Sequence, residues 1–336
     1  MSGTKEYILK RLLRSEGYIS GESLSNELGI SRSAVNAAVA GIRNDGYEIT
    51  SSTKKGYLIN KDGRRYGKPE ISALLPDPRG DSVFFYDSVG STNNVLKEMA
   101  MNGAPSGTVV ISDEQTSGKG RLGRSFDSPG KKNIYLSYLI RTRKAPSDCS
   151  AITACTAASV CDVIGRVCGI CPGIKWVNDL VIGSKKICGI LTEMTFQSES
   201  LQVDSIVIGI GINANWNKRD IPGPLKEIAT SIKAESGREV QRAVLVAEII
   251  SALDEMAALF EEGKLTECYL PSYRKMCVTT GKKVSIVRVH DSGEDPGHGT
   301  ALEVNDDFSL KVKLDDGSVK DLTSGEVSVR GLYGYI

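Results

Sequence analysis

The hydrophobic pattern at the start of the chain predicts three short helices. Four apolar residues follow helical spacing in the first segment: Ile8, Leu9, Leu12 and Leu13. Ser20 can cap a second helix that stops at Gly29, and Ser31 can cap a third. One face of the third helix is apolar: Ala34, Val35, Ala38, Val39 and Ile42. The other is small and polar: Arg32, Ser33, Asn36, Ala37 and Arg43. Short helices joined by a glycine-containing turn are typical of a helix–turn–helix.

A basic hairpin is predicted directly after these helices. Two strand-like runs, Tyr47–Thr50 and Tyr57–Ile59, flank a polar tip with two lysines. The residues expected on DNA are Arg32, Ser33 and Asn36 at the bases and Lys54 and Lys55 at the phosphates. A small helical module for protein interactions is the alternative, but the basic tip and the helix order favour DNA.

The central part of the chain combines strands and helices. Strand-like runs are Val83–Tyr86, Thr108–Asp113, Ile134–Ile140, Leu180–Ile182, Ile187–Met194 and Ser205–Ile212, with helices near 91–101, 150–169 and 240–261. Because strands occur in pairs as well as between helices, we predict an α+β domain. Its sheet would be mixed or largely antiparallel, with helices on one side.

From about residue 279 onward, short strands and turns predict a small SH3-like barrel. The runs are Lys283–Val289, Thr300–Val304, Ser309–Leu314, Ser318–Leu322 and Val327–Arg330. The expected organisation is multidomain α+β. It comprises a winged helix–turn–helix (1–66), a linker rich in charge, glycine and proline (67–80), the central domain (81–277) and the barrel (278–336).

Composition and charge add a modest bias. The 336 residues suffice for two or three domains, and 40% hydrophobic with 25% charged residues is ordinary for a globular protein. Residues 1–66 carry a net charge of +4 and the remainder −3, which is compatible with a head that binds nucleic acid. We find no apolar run of transmembrane length and no signal peptide, so we expect a cytoplasmic protein without a membrane partner.

Cysteine and histidine usage argues against two kinds of site. Five of the eight cysteines fall between residues 149 and 171, with one CxxC pair and no nearby histidine. We therefore expect free thiols and no metal site. The two histidines, His290 and His298, lie in a turn-rich segment, and no Ser/His/Asp pattern occurs.

The strongest chemical signal is a glycine-punctuated cationic loop, Gln115–Arg124. Glycines allow close backbone approach to a ligand, and Lys119, Arg121 and Arg124 offer donors for phosphate or carboxylate oxygens. The loop is suited to closing over an anion. A basic surface loop without a ligand is the alternative.

Four segments together resemble the signatures of biotin protein ligases. They are the loop GKGRLGR at 118–124, KWVNDL at 175–180 followed by Lys185-Lys186, DSVGSTN at 87–93, and GIGIN at 209–213. They occur in the family's order, and both ends of the chain fit its larger, DNA-binding members. Lys119 replaces an arginine common in the family, and Val177 replaces the usual proline.

The resemblance implies an activity and its substrates. Such an enzyme uses ATP to activate biotin as biotinyl-5'-AMP and transfers it to a lysine of a biotin carboxyl carrier domain. Mg²⁺ is expected with the ATP. The larger members also bind operator DNA as biotin-responsive repressors, and we expect a homodimer when the adenylate is bound. A biotin sensor without ligase activity and a lipoate ligase are the alternatives.

The resemblance also assigns roles to individual residues. Biotin binding falls to Ser91, Thr92, Asn93, Gln115, Lys119, Gly120, Arg121 and Lys186, and ATP or adenylate binding to Arg121, Arg124, Phe126, Asp179 and Asn213. Lys186 and Arg121 would be catalytic. Three alternatives stay open: Ser91 as a helix N-cap, Asp179 as a turn residue, and Lys185 as the working lysine.

One further motif is rejected. Residues 209–214 formally match a G-x-G-x-x-G/A dinucleotide fingerprint, but the residues that follow, NWNKRDIPGP, cannot open a helix. We therefore expect no NAD site.

Overall fold

The computed structural model describes residues 3–197, 202–288, 297–323 and 327–331. The chain folds into two compact units. The first contains residues 1–83 and 241–247, and the second contains 84–240 and 248–336. His290 lies outside the described residues, whereas His298 begins a strand.

The N-terminal unit has the expected helices and hairpin. The helices are α1 (Gly3–Arg14), α2 (Gly21–Leu28) and α3 (Arg32–Asn44), and the strands are β1 (Ile49–Ser52) and β2 (Gly56–Ile59). Ser20 Oγ accepts a hydrogen bond from Ser23 N at 3.0 Å, and Ser31 Oγ accepts one from Ala34 N at 3.2 Å. Gly29 ends α2 in the left-handed region at φ +64°. The predicted caps and stop are therefore confirmed.

The stretch that composition marks as a linker contains a helix, α4 (Lys68–Leu74). Its second residue is Pro69, which fits the first turn of a helix because that turn has no use for the missing N–H. Arg14 from α1 donates to the carbonyls of Ala73 at 3.0 Å and Ser72 at 3.3 Å near the end of α4. The segment is thus ordered against α1, while the domain boundaries remain predictions.

The second unit is built on a seven-stranded sheet. Its strands are β3 (Val83–Val89), β4 (Val109–Gln115), β5 (Ile134–Arg141), β6 (Gly173–Lys175), β7 (Asp179–Ile182), β8 (Lys185–Phe196) and β9 (Val203–Ile212). The strand order is β3-β4-β5-β9-β8-β7-β6, and from β4 to β6 every neighbouring pair is antiparallel.

Helices cover both faces of this sheet, whereas we expected one. They are α5 (Thr92–Met101), α6 (Ile152–Cys168), α7 (Ile232–Ser236), α8 (Arg242–Glu261) and α9 (Leu265–Met276). Leu96 of α5 packs with Leu139 of β5 in one buried cluster. Because neighbouring strand residues point to opposite faces, Tyr138 lies on the other side, where its hydroxyl donates to Asp254 of α8 at 2.7 Å. Helix α5 therefore lies on the face opposite α8.

We expected no apolar run of transmembrane length, but one helical stretch reaches it. Pro146–Cys168 has 23 residues, and its most apolar part has a mean hydropathy of 1.4, so the stretch is long and apolar enough to cross a membrane. In the structure 67% of that part is buried inside the protein, as in the core helix of a globular domain. Cys149, Cys155 and Cys161 belong to this buried surface, and all eight cysteines are free, with Cys171 and Cys268 exposed.

The C-terminal part forms a five-stranded antiparallel sheet. Its strands are β10 (Lys283–Arg288), β11 (His298–Val304), β12 (Leu310–Leu314), β13 (Val319–Leu322) and β14 (Val327–Gly331), in the order β13-β12-β11-β10-β14. The indole of buried Trp176 donates to the carbonyl of Phe308 at 2.9 Å, so Trp176 is a packing residue. Closure of this sheet into a barrel remains a prediction.

Candidate functional site

The second unit contains a cavity of about 260 Å³ between α5, the cationic loop and strands β8 and β9. All twelve residues assigned to biotin and ATP line it: Ser91, Thr92, Asn93, Gln115, Lys119, Gly120, Arg121, Arg124, Phe126, Asp179, Lys186 and Asn213. The cavity has a hydroxyl- and amide-rich end, a cationic middle and an apolar end. The individual roles of these residues remain predictions.

At the polar end, the backbone fixes the orientation of the Gln115 amide. The Thr92 backbone N–H, which can only donate, lies 2.9 Å from Gln115 Oε1. Gln115 Nε2 therefore points the other way, toward Ser128 Oγ at 3.1 Å. One end of the amide thus holds the first turn of α5, and the other reaches across to the segment after the cationic loop.

Ser91 occupies the N-cap position of α5, but its side chain accepts no capping hydrogen bond there. It is buried and lines the cavity. Because the hydroxyl is not used for capping, the cap alternative does not account for this side chain.

The cationic loop folds back on itself in a short hairpin. Gly120 N donates to Arg124 O at 2.7 Å, and Phe126 N donates to Gly118 O at 2.9 Å. A Cβ at Gly118 would lie 2.4 Å from the Phe126 carbonyl oxygen, so this close approach requires glycine. Lys119 Nζ donates to Asn94 Oδ1 at 2.9 Å.

The side chain of Arg121 is held by a residue that the sequence analysis did not select. Arg121 Nη1 donates to Asn178 Oδ1 at 3.0 Å, and Asn178 Nδ2 donates to Ile190 O at 2.8 Å. Burial lowers the pKa of Arg121, partly offset by the nearby Asp179 carboxylate, yet a guanidinium stays charged at any physiological pH. Asn178 lies within the KWVNDL segment, and its place in that motif could have identified it as a site residue.

Lys186 and Lys185 occupy different environments. Lys186 Nζ lies 2.6 Å from Asp179 Oδ1 inside the cavity, and 5.7 Å from the centre of the Phe126 ring. Lys185 Nζ instead donates to the carbonyl of Lys226 at 2.5 Å and does not line the cavity. This placement favours Lys186 as the working lysine. Asp179 is the first residue of β7 and pairs with Gly189, so it is a strand residue rather than a turn residue.

Three glycines form a floor on which these side chains lie. A Cβ at Gly189 would lie 2.7 Å from Lys186 Nζ, one at Gly209 2.3 Å from Asn93 Oδ1, and one at Gly211 2.7 Å from the Phe126 ring. Real side chains do not approach so closely. The glycines of the GIGIN segment therefore serve side-chain packing, and no helix follows them directly as a dinucleotide site would require.

The apolar end was missed by the sequence analysis. It is lined by Trp216, Leu225, Ile228 and Ala229. The backbone of Lys186 is tied to this segment, because Lys186 N donates to Ile228 O and Thr230 N donates to Lys186 O, both at 2.9 Å. Asn213 Nδ2 donates to Thr230 O at 3.0 Å. These residues belong to a glycine- and proline-rich loop without hydrophobic periodicity, so the sequence pattern did not identify them as cavity residues.

The predicted DNA contacts lie on the surface of the N-terminal unit. Arg32, Ser33, Asn36, Lys54 and Lys55 are all exposed. Three of them already have partners: Arg32 pairs with Glu22 at 2.8 Å, Ser33 Oγ lies 2.8 Å from Ser31 Oγ, and Asn36 Oδ1 accepts from the Tyr57 hydroxyl. Lys55 Nζ lies 5.7 Å from the centre of the Tyr18 ring. Helix α3 and strand β2 are thus linked through Asn36 and Tyr57.

The cavity offers two carboxylates as metal ligands, Asp127 and Asp179. Within residues 3–197, 202–288, 297–323 and 327–331, no three His, Cys, Asp or Glu side chains converge on a point that could hold a metal ion by themselves. Mg²⁺ commonly binds one or two carboxylates together with substrate phosphates, so this donor set fits a magnesium–nucleotide complex.

Two parts of the chain match known families: the central domain and the N-terminal helix–turn–helix. Residues 85–213 match the biotin/lipoate A/B protein ligase family, and residues 4–58 match an HTH domain. The bifunctional ligase/repressor BirA of Bacillus spizizenii is 37% identical over 239 residues, which cover 71% of this chain and 73% of the relative. BirA of Escherichia coli is 28% identical over 319 residues, or 95% of each chain.

A solved structure supports the same relationship. The biotin protein ligase from Aquifex aeolicus in complex with biotin and ATP superposes with a TM-score of 0.63 at 26% identity, covering 74% of this chain and 98% of that one. The signature segments gather around one cavity, and a helix–turn–helix precedes them in the chain. With a relative at 37% identity over most of its length, this chain belongs to the biotin protein ligase family and resembles its bifunctional ligase/repressors.

Proposed function

We propose that the protein activates biotin with ATP, forms biotinyl-5'-AMP, and transfers biotin to a lysine of a biotin carboxyl carrier domain. We further propose that it represses transcription by binding operator DNA in response to biotin. The observation that carries the ligase function is the single cavity lined by all twelve motif residues. The winged helix–turn–helix carries the regulatory function.

The three parts of the cavity suit the parts of the adenylate. Hydroxyls and amides from Ser91, Thr92 and Gln115 match the ureido head of biotin, which has two N–H donors and one carbonyl acceptor. The cations Lys119, Arg121 and Lys186 match the biotin carboxylate and the α-phosphate. The apolar wall at Trp216 and Ile228 offers a surface for the flat adenine base.

The chemistry requires charge stabilisation and no enzyme nucleophile. A carboxylate oxygen of biotin attacks the α-phosphorus of ATP, the bond to the β-phosphate oxygen breaks, and pyrophosphate leaves. Lys186 and Arg121 offset the repulsion between the two anions, and they stabilise the negative charge that grows at the phosphate in the transition state. The acceptor lysine amine then attacks the acyl carbon and displaces AMP. Asp127 and Asp179 are the cavity carboxylates that would hold Mg²⁺ with the ATP phosphates, and the ion would neutralise phosphate charge.

The remaining elements complete the proposal. Residues 1–66 form the DNA-binding domain, 67–80 the connection, 81–277 the catalytic domain and 278–336 the C-terminal SH3-like domain. The protein works in the cytoplasm, where ATP and carrier domains are available. A homodimer formed by the adenylate-bound protein would place two heads on a two-fold operator and raise affinity for it.

Purified protein with ATP and either biotin or lipoate tests the ligase function. Biotin-dependent pyrophosphate release, followed by labelling of a carrier domain, is the expected result. Release with lipoate instead would indicate a lipoate ligase. Biotin binding without release would indicate a sensor without ligase activity.

Sedimentation and operator titration, with and without biotin and ATP, test the regulatory function. Both mass and operator affinity should rise when the adenylate forms. A mass and an affinity that are indifferent to the adenylate would contradict the regulatory role.

A further inference from the structure

The apolar wall of the cavity is part of a segment with little regular structure. Residues 216–230, the wall segment, contain two short 3₁₀ turns, Lys218–Asp220 and Gly223–Leu225. Four side chains of the segment line the cavity: Trp216, Leu225, Ile228 and Ala229. Because the segment lacks the repeated hydrogen bonds of a long helix or a strand, other contacts must hold its shape if it is to offer a ligand a fixed surface.

Both ends of the wall segment are tied to neighbouring parts of the unit. Just before it, Asn215 N donates to Lys132 O at 2.9 Å. The Asn215 side chain is fixed by Val240, which donates its N–H to Oδ1 at 2.8 Å and accepts from Nδ2 at 2.9 Å. At the other end, Thr230 N donates to Lys186 O at 2.9 Å. The two ends are therefore well anchored.

The middle of the wall segment is held at Asp220. Asp220 Oδ2 accepts from Asn217 N at 3.0 Å and from Asn217 Nδ2 at 2.7 Å, and it lies 2.9 Å from Lys132 Nζ. The hydrogen bonds from Lys132 and then Asn217 hold the pKa of Asp220 below its ordinary value, so this carboxylate is ionised at neutral pH. The Asn217 contacts stay within the segment, whereas the Lys132 contact joins its middle to the residues that lead into β5.

Lys132 stands on a fixed base. On one side of it, Lys131 N donates to Asp113 Oδ2 at 3.0 Å, and on the other, Asn133 Oδ1 accepts from Ala214 N at 3.1 Å. Lys132 itself reaches the wall segment with its ammonium at Asp220 and reaches the residue before that segment with its carbonyl. It thus links the segment to the rest of the unit at two points.

We propose that Lys132 and Asp220 are positioning residues that hold the apolar wall in place for the nucleotide. This inference rests on the proposed function, in which that wall receives the adenine base. Neither residue lines the cavity. The pair therefore acts on the affinity for ATP through the fraction of molecules whose wall is in place. Biotin binding at the polar end, and the rate at saturating ATP, should not depend on it.

Charge alone predicts a different pattern from positioning. ATP is an anion, so loss of the Asp220 carboxylate would by charge alone tighten ATP binding, and loss of the Lys132 ammonium would weaken it. If the two residues act by holding the wall, both losses weaken ATP binding. The sign of the effect at Asp220 therefore distinguishes the two explanations.

The test measures the KM for ATP from pyrophosphate release at saturating biotin, and the Kd for biotin alone by calorimetry. The full-length variants are Lys132→Met, Asp220→Ala, the two together, and Lys132→Arg, which keeps the positive charge. Lys131→Met is the matched control, because it removes the same charge one residue away, where the backbone N–H and not the ammonium makes the contact with Asp113.

The KM for ATP should rise two- to fivefold, as a rough estimate, in Lys132→Met, because the ion pair is only half-buried. In Asp220→Ala it should rise about tenfold, since the Asn217 donors also lose their acceptor. The double variant should match Asp220→Ala, because both changes break the same contact. Lys132→Arg, Lys131→Met and every Kd for biotin should stay within about twofold of the wild type.

The outcomes separate this inference from the proposed function. A lower KM for ATP in Asp220→Ala, or equal KM values in Lys132→Met and Lys131→Met, would overturn the positioning role while the ligase function stands. A wild type that releases no pyrophosphate with biotin would overturn the proposed function, and the positioning role with it. Should Asp220→Ala not fold, the comparison of Lys132→Met with Lys131→Met decides.

Discussion

The cavity and the N-terminal head use their predicted ligand-binding residues differently. In the cavity several of these residues bond to buried or half-buried neighbours, as Thr92 does to half-buried Gln115 and Arg121 does to buried Asn178. On the head, the predicted DNA contacts are exposed, and those with partners bond to surface residues of the same unit. The cavity is therefore preorganised for one ligand shape, whereas the head must exchange some of its own contacts for contacts with DNA.

This difference predicts two kinds of mutational response. A change in the cavity should act on transition-state stabilisation, because its groups are already held in place. A change on the head should act on one base pair or on charge, because each exposed side chain meets DNA separately.

Lys186→Ala should slow formation of the adenylate by on the order of 10², or about 3 kcal/mol, because a charged contact to the transition state is lost. ATP binding should weaken far less. Lys185→Ala is the matched control, since its ammonium binds the carbonyl of Lys226 outside the cavity. Single-turnover pyrophosphate release measures the rate. An equal loss of rate in the two variants would contradict the assignment of Lys186 as the working lysine.

Asn36→Ala should cost about 1–3 kcal/mol of operator binding and relax the preference at one base pair. The side chain is exposed on α3, and only its Oδ1 has a described partner, Tyr57. Titration against a set of operators with single base changes measures the effect. A uniform loss on every sequence would show that Asn36 does not read a base.

Replacing Lys54 and Lys55 together by alanine should weaken binding to all DNA sequences alike. The slope of log K against log salt is negative, and each lost phosphate contact should make it less steep by about 0.9. Operator and random DNA titrated over a range of salt concentrations provide the test. A loss of affinity confined to the operator would indicate that these lysines contact bases and not phosphates.

Ser31→Ala should destabilise the head by about 1 kcal/mol, because the first turn of α3 loses the hydrogen bond from Ala34 N. Ser31→Gly should cost only a few tenths of a kcal/mol, since glycine is tolerated at an N-cap. Hydrogen exchange of the α3 amides reports this local stability. Wild-type protection in Ser31→Ala would mean that the cap contributes nothing.

Local chemistry made the head predictable from the sequence. Ser20, Gly29 and Ser31 act on residues within one turn of the chain, so reading their order was enough. The same local reasoning misjudged the segment after it, where Gly67 and Pro69 suggested a linker. Proline in a first turn begins a helix as readily as it ends one.

The residues that line the cavity were predictable from the sequence, but the hydrogen bonds among them were not. Family-like motifs identified the lining residues, yet the partners of Asn93 and Thr92 lie far away in sequence, at Glu193 and Ser137. Such pairs arise only from the register between β5, β8 and β9. The position of α5 opposite α8 was likewise beyond local patterning, because it depends on which strand face each helix covers.

The glycine floor limits how this pocket can be redesigned. Gly189, Gly209 and Gly211 touch Lys186, Asn93 and Phe126 so closely that even a methyl group displaces one of them. Attempts to accept a different carboxylic acid by changing the floor would therefore damage the binding groups first. The segment at Leu225 and Ile228 has no such restriction: Ile228 is 40% exposed and contributes apolar surface. Libraries that seek new nucleotide specificity can therefore vary that wall and leave the strands unchanged.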